Sequence, residues 1–355
     1  MGSIESKEED IMQDLQPSIQ EWRSLYRAAI DFWQIQPWQW VNDTDLFGVK
    51  NPEDGEIGYC CVVGALGEFL GLVVYLGTEG LESYLKIQTS ESPEEDVLST
   101  GKCLTASFED RKSLQKPDLE VIKGLGLRFR GPKSWPLFRS YEPGYYPWYI
   151  NQRQARFLTH AFRQAADVTL RIKQSRNLLT DSGKGRFLVR IPEQSGSVFH
   201  WRDEWLAPAP LERAKREVPV PDELRLQRIK KRGVRQAGIW EIDFCHVPVP
   251  IQEGNRPFFP LSLLIVDHAS GFVLKGHLES RDRHGPEFQN QMLNVIEEMT
   301  LLPLEIWVKR EEVLELFKPL VSGLGLKMKQ VKRLKQLEHA QKAMNSHFLS
   351  GKMPR

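Results

Sequence analysis

The stretch 238–278, GIWEIDFCHVPVPIQEGNRPFFPLSLLIVDHASGFVLKGHL, constrains the fold more than any other part of the chain. Its first run, 239–245, alternates apolar and polar side chains, which predicts a half-buried strand. The run 261–266 is almost continuously apolar, as in a strand that is covered on both faces. Residues 267–271 supply Asp, Ser and Gly for a turn, so 272–278 is predicted to run back as an antiparallel third strand.

Helices and short strands alternate after this hairpin. Apolar side chains recur at helical spacing over residues 286–302, and two further strand–helix pairs follow at 304–308, 311–324, 326–331 and 334–348. The predicted order is β-β-β-α-β-α-β-α over about 115 residues, a normal size for one domain. The sequence therefore predicts an α/β domain over residues 238–355.

Three short motifs give this domain a resemblance to a known fold. WEIDF at 240–244 resembles the first catalytic strand of the integrase and transposase branch of the ribonuclease H-like fold. VDHASGF at 266–272 resembles its turn between the second and third strands, and LEHA at 337–340 resembles the acidic helix that closes its site. The element order resembles the same fold, and the resemblance covers the last third of the chain.

The resemblance implies a nucleic-acid partner and a site for Mg²⁺ or Mn²⁺ held by carboxylates, since such metals activate water at a phosphodiester. It implies that Asp243 is the first-strand acid and Glu338 the helix acid, and that these two hold the metal. Glu287, which opens the first helix, occupies the position where the ribonuclease branch keeps another acid. These three residues are the candidate catalytic residues.

The fourth strand departs from the family pattern. The family places an Asp at its end, whereas this chain reads IWVKR over 306–310, with Lys309 and Arg310 in its place. A fixed cation a few ångströms from a divalent metal opposes its binding. The sequence therefore favours a non-catalytic nucleic-acid-associated or regulatory protein on a degenerate ribonuclease H-like fold. The alternative is a divalent-metal-dependent nuclease that uses Asp243, Glu287 and Glu338.

Basic residues flank the C-terminal domain, although the net charge of the whole chain is only +1. A linker over 207–237, with prolines near its start, connects the two domains. The basic residues of both flanks are candidates for phosphate contacts; a solvated linker and helix surface is the other interpretation. The candidates are Arg228, Lys230, Lys231, Arg232, Arg235, Lys332, Arg333 and Lys335.

The N-terminal part is predicted to be an acidic, flexible segment over 1–17 and an α+β domain over 18–206. Two strand-like runs at 57–66 and 69–76 indicate a hairpin, and the region from Asn151 to Gln174 indicates a long amphipathic helix. The stretches DTDLFGVKNPEDGEIGYCCVVGALGE and SYEPGYYPWY resemble an uncharacterised bacterial domain of unknown function. That resemblance implies no activity.

An aromatic segment at 135–150, WPLFRSYEPGYYPWYI, is the other candidate binding surface. Aromatic rings beside an arginine stack on bases, and they also cover apolar cores. A third interpretation of the chain is a protein–protein adaptor that uses this segment. The candidate surface residues are Trp135, Arg139, Tyr141, Tyr145 and Trp148.

Cysteine spacing and hydropathy argue against several classes of protein. The four cysteines have no paired metal-ligand spacing, which predicts a reduced, cytoplasmic protein without structural zinc. No apolar run reaches the roughly 18 residues of a membrane span. No membrane partner is therefore expected.

Overall fold

The computed structural model describes residues 16–67, 69–89, 101–180, 185–195, 198–211, 222–233, 235–253, 255–281 and 283–349. The chain divides into two compact units. The first comprises Met1–Pro143 and Pro147–Glu212, and the second comprises Gly144–Tyr146 and Arg213–Arg355. Most of the predicted acidic N-terminal segment and the middle of the predicted linker lie outside the described residues.

The first unit is built on a seven-stranded sheet. Its strands are β1 (Phe47–Lys50), β2 (Ile57–Val63), β3 (Leu70–Leu76), β4 (Cys103–Glu109), β5 (Trp135–Tyr141), β6 (Phe187–Ser195) and β7 (Val198–Leu206). The order across the sheet is β5-β4-β3-β2-β1-β6-β7. Neighbours are antiparallel except for β1 and β6, which are parallel.

Helices cover both faces of this sheet. They are α1 (Ile19–Ile35), α2 (Gly77–Thr89), α3 (Lys116–Gly124) and α4 (Gln152–Gln174). Ser18 and Asn151 form capping boxes at the starts of α1 and α4. Each box gives hydrogen-bond acceptors to backbone amides that have none within the first helical turn. Phe32 of α1 and Phe162 of α4 meet with ring centroids 5.2 Å apart in the main core. Leu81 and Tyr84 of α2 pack in a smaller core with Tyr59.

The second unit contains a five-stranded sheet. Its strands are β9 (Ile239–His246), β10 (Leu261–Asp267), β11 (Val273–Glu279), β13 (Glu305–Val308) and β14 (Lys327–Gln330). They lie in the order β11-β10-β9-β13-β14, the first three antiparallel and the last three parallel. The two-residue strands β8 (Arg235–Gln236) and β12 (Leu301–Leu302) pair separately.

The helices of this unit that the structure describes are α5 (Glu223–Lys231), α6 (His284–Met299), α7 (Glu311–Leu324) and α8 (Lys335–Leu349). Helices α5, α6 and α7 share one core with Trp240 of β9. Helix α8 packs on the other face, where Leu337 meets Val266 of β10. Because Leu226 and Ile229 of α5 are buried in the first of these cores, this end of the predicted linker belongs to the second unit.

Both units contain helices and sheets. The prediction that the chain mixes helices and strands is therefore confirmed. Residues 127–130 alternate apolar and basic side chains as a strand would, but they have no ladder partner. The edge of β4 pairs instead with β5, whose side chains alternate between buried and half-buried. Within the described ranges, every helix is too short or too polar to cross a bilayer.

Candidate functional site

The centre of the predicted site is an ion pair between Asp243 and Arg310. Strands β9 and β13 are parallel neighbours, so their carboxyl ends lie at the same edge of the sheet. Asp243 is near the end of β9, and Arg310 lies two residues after the end of β13. The Asp243 Oδ1 accepts hydrogen bonds from Arg310 Nε at 2.9 Å and Nη2 at 2.6 Å. The same oxygen accepts the Phe244 amide at 2.8 Å.

Burial and the neighbouring charges shift the pKa of Asp243 in opposite directions. Burial raises the pKa of the Asp243 carboxyl, and the Arg310 and Lys309 cations oppose that rise. The Arg310 guanidinium also lies 5.0 Å from the centre of the Phe244 ring. Arg310 therefore places a positive charge directly beside Asp243.

The other two candidate acids have separate partners. Glu287, in the first turn of α6, accepts a 2.6 Å hydrogen bond from Gln291 and lies 3.6 Å from His277 Nε2. Glu338, in the first turn of α8, pairs with Arg333 at 2.8 Å and lies 3.9 Å from Lys309. The Arg333 guanidinium holds the pKa of Glu338 below its usual range.

These partners decide whether the site fits a divalent metal. Carboxylates that share a metal must converge on one point without a competing cation. Asp243 and Glu338 each pair with an arginine instead. In the part of the chain that the structure describes, no three His, Cys, Asp or Glu side chains are grouped so as to hold a metal ion. The residues present do not fit Mg²⁺ or Mn²⁺.

Replacing Arg310 by glutamine should make the stability of the second unit more dependent on pH. The change removes a cation that opposes the raised pKa of Asp243, so that pKa should rise further. A raised carboxyl pKa means that the folded state binds the proton more tightly, so stability falls as the pH rises from about 4 through the folded pKa. We expect a loss of about 1–3 kcal/mol at neutral pH.

Urea unfolding of the full chain at several pH values measures this effect. Arg228→Gln is the matched control, because Arg228 is an exposed arginine of the same unit. A flat pH profile for Arg310→Gln, parallel to that of the control, would show that the pair does not influence Asp243.

The predicted basic residues lie on two different layers. Arg228, Lys230 and Lys231 are exposed on α5, followed by the exposed Arg232 and Arg235. Helix α5 packs in the core on one face of the sheet. Lys332, Arg333 and Lys335 are exposed beside the start of α8, on the opposite face. The structure therefore provides two basic surfaces instead of one continuous surface.

The predicted aromatic surface is also divided. Tyr145 belongs to the second unit, and Trp135, Arg139, Tyr141 and Trp148 belong to the first. Arg139 is only 12% exposed and makes two hydrogen bonds to Asp118, at 2.8 and 2.7 Å. Its guanidinium also lies over the Tyr149 ring at 4.6 Å. These contacts hold the Arg139 side chain within the fold of the first unit.

Family comparisons divide the chain in the same general way. A family model described as "Domain of unknown function (DUF7309)" matches residues 22–190. A second, "Domain of unknown function (DUF6930)", matches residues 225–345. The chain is therefore similar to two families of unknown function, one over each of these ranges. No curated protein matches the chain.

Several solved structures are similar to part of the chain. The catalytic core domain of BIV integrase is 12% identical, with 32% of this chain and 70% of that one covered and a TM-score of 0.25. The HTLV-2 integrase catalytic core domain in complex with magnesium is 17% identical, with 35% and 80% covered and a TM-score of 0.25. A simian T-cell lymphotropic virus intasome with PP2A regulatory subunit B56 gamma is 15% identical, with 35% and 45% covered and a TM-score of 0.26.

The second unit contains a buried carboxyl side chain that the sequence interpretation missed. Glu241 is fully buried on β9, two residues before Asp243. One of its oxygens lies 2.6 Å from His268 Nδ1, and the other accepts the Leu337 amide at 2.9 Å. The His268 ring lies 4.3 Å from that of Trp307. The alternation of residues 239–245 placed Glu241 on the same face as Asp243, but it gave no sign of burial.

The second missed feature is a cleft of about 390 Å³ in the second unit. Three arginines and one carboxylate line it, together with small and aromatic residues. Tripeptide 144–146 forms one wall, and the segment before α6 forms another. No periodic pattern marks these segments, so only the fold brings them together. The lining residues are Gly144, Tyr145, Glu253, Arg256, Phe258, Ser280, Arg281 and Arg283.

Proposed function

We propose that this chain is a non-catalytic nucleic-acid-associated protein whose DUF6930 domain is a ribonuclease H-like domain with a replaced metal site. The observation that carries the proposal is the Asp243–Arg310 ion pair. An arginine bonded to the first-strand acid supplies the positive charge that a metal would supply in an active site. It supplies no activated water.

The order of elements supports the assignment of the fold. Strands β9, β10 and β11 are followed by α6, β13, α7, β14 and α8, apart from the two-residue β12. That is the order that the ribonuclease H-like resemblance implies. Asp243 lies on the first of these strands and Glu338 on the last helix. These positions support the proposal, and both acids have cations as partners.

The distribution of charge supports association with nucleic acid. Four consecutive or near-consecutive cations, Arg228, Lys230, Lys231 and Arg232, are exposed at the end of α5. Lys332 and Arg333 are exposed before α8. Phosphate contacts by lysine and arginine release counterions and supply most sequence-independent affinity. Regulation through such contacts requires no chemistry at Asp243.

Metal binding is the direct test of the non-catalytic part. We expect calorimetric titration of the full chain with Mn²⁺ to give no binding at millimolar metal. The double variant Asp243→Asn with Glu338→Gln should give the same result. Micromolar binding by the wild type that the double variant loses would contradict the proposal and support a nuclease that uses Asp243, Glu287 and Glu338.

Binding of nucleic acid is tested separately, in the presence of EDTA. Fluorescence anisotropy with labelled single-stranded and duplex DNA should show an affinity that decreases linearly, on logarithmic axes, with salt concentration. Absence of binding to either DNA at low salt would contradict the nucleic-acid part. The two measurements can therefore fail independently.

A further inference from the structure

The five-stranded sheet of the second unit has two edges of different character. Strand β14 forms one edge, and its exposed side chains are all polar, namely Lys327, Lys329 and Gln330. Strand β11 forms the other edge, where the apolar side chains of Val273 and Leu278 are 40% and 44% exposed. Lysines on an edge strand oppose its pairing with another strand, whereas exposed apolar residues favour it. The β11 edge is therefore the one that favours a further strand.

The side chains of β11 alternate between the two faces of the sheet. Gly276 and Leu278 lie on the face where α8 packs, because the β10 partner of Gly276 belongs to the core beside α8. Lys275 and Glu279 lie on the opposite face, because the β10 partner of Lys275 belongs to the core of α5, α6 and α7. The exposed apolar residue Leu278 and the charged residues thus lie on separate faces.

Gly276 leaves a gap in the exposed row of side chains. Its φ lies outside the left-handed region, so the backbone accepts other residues there. Within the described residues, a Cβ at this position would meet only Leu264 Cδ2, at an ordinary contact distance of 3.8 Å. A large side chain of an adjacent strand therefore fits over Gly276.

Lys275 and Glu279 provide opposite charges on the other face. In the part of the chain that the structure describes, Lys275 has no ion-pair or hydrogen-bond partner for its side chain. Glu279 accepts the Ser280 amide at 2.8 Å and lies 3.0 Å from Arg283, and both contacts use its oxygen Oε1. Its second oxygen, Oε2, has no partner among the same residues. A cation and one carboxylate oxygen thus remain open on the same face of one edge strand.

We infer that β11 pairs with β11 of a second copy of this chain, antiparallel and about a two-fold axis at His277. This register places Lys275 opposite Glu279 of the second copy and Gly276 opposite its Leu278, and the symmetry repeats both pairs. The residues of each pair are an even number of positions apart, which the alternation of hydrogen bonds in antiparallel strands requires. Opposite charges and apolar contacts at facing positions stabilise such a pair of strands.

Both complementary features come from one strand, which favours a second copy over an unrelated protein. A different strand would need a large apolar side chain opposite Gly276 and an acid opposite Lys275. Strand β11 carries both, in the required order and spacing. A register centred on Gly276 would instead place Lys275 opposite His277 and leave the second Glu279 oxygen without a cation.

Sedimentation velocity of the full chain over a range of concentrations measures the association. We expect the wild type to form a dimer that Lys275→Glu and Glu279→Lys each weaken by about tenfold or more, because each change puts like charges opposite each other twice. An equimolar mixture of the two variants should regain the wild-type association, since opposite charges face each other again in the mixed dimer. A structural role of either residue within one chain would give no recovery on mixing.

A second variant tests the steric part of the inference. Gly276→Val has room within one chain and introduces a residue that favours strands, but it fills the place of Leu278 of the second copy. It should weaken the association and leave the circular dichroism spectrum unchanged. Lys332→Glu is the control for charge reversal, because Lys332 is exposed just after β14, and it should associate like the wild type.

Three results would overturn the inference. The first is a wild type that stays monomeric at every concentration. The second is a dimer that Lys275→Glu and Gly276→Val leave intact, since another surface would then hold it. The third is a mixture of folded Lys275→Glu and Glu279→Lys that does not recover. If circular dichroism shows that Glu279→Lys does not fold, Gly276→Val decides the outcome.

Discussion

Glu241→Ala is expected to lower the free energy of unfolding of the second unit by about 3–5 kcal/mol, because a buried side chain loses a hydrogen-bond partner on each oxygen and leaves a cavity. The Glu241 carboxylate is fully buried and has a partner for each oxygen, His268 Nδ1 and the Leu337 amide. Leu337 lies in the first turn of α8, so the carboxylate also interacts favourably with the positive end of that helix. The alanine variant loses both interactions and opens a small cavity.

Hydrogen exchange in the full chain measures this loss of stability separately for each unit. The β9 amides should exchange faster in Glu241→Ala, while the amides of β2 and β3 in the first unit should not change. Glu298→Ala is the matched control, because Glu298 is an exposed glutamate of the same unit. Glu241→Gln keeps one acceptor for the Leu337 amide and should lose less. Equal exchange in Glu241→Ala and Glu298→Ala would mean that the buried contacts stabilise little.

Phe288→Ala is expected to cost a similar amount, about 3–5 kcal/mol, because it leaves a large cavity in a close-packed core. Phe288 is fully buried on α6, with its ring 5.4 Å from that of Phe244 and 5.6 Å from that of His284. Phe244 in turn lies under the Arg310 guanidinium. The cavity should therefore loosen the region that holds the Asp243–Arg310 pair.

Urea unfolding of the full chain, followed by circular dichroism, measures the change. Phe272→Ala provides a control with the same substitution in the same unit, since Phe272 is 69% exposed. The control should change stability by no more than about 0.5 kcal/mol. Comparable midpoints for the two variants would show that α6 is not held by this core.

Local patterns explain which elements the sequence predicted well. The hairpin predicted at 57–66 and 69–76 is present as β2 (Ile57–Val63) and β3 (Leu70–Leu76), and the long helix after Asn151 is present as α4. Such patterns depend on side-chain spacing within one segment, because the periods of strands and helices are local properties. The sequence could therefore predict these elements.

The candidate site depends on contacts that are distant in sequence. The sequence placed Arg310 at the end of a strand, but only the parallel pairing of β9 with β13 brings it to Asp243. Burial of Glu241 follows from the packing of α8 on the sheet, which periodicity cannot reveal. The sequence also gave no sign of the pair between Arg139 and Asp118, since Asp118 lies on a separate helix.

The tripeptide Gly144–Tyr146 has a consequence for how such a protein can evolve. It completes a unit whose other residues begin at Arg213. A genetic crossover near residue 213 would transfer the sheet and its helices but leave behind the tripeptide, and with it the partner of the Phe259 amide. The C-terminal unit is therefore not a single exchangeable block of the gene, and Gly144 and Arg281 are expected to change together across lineages.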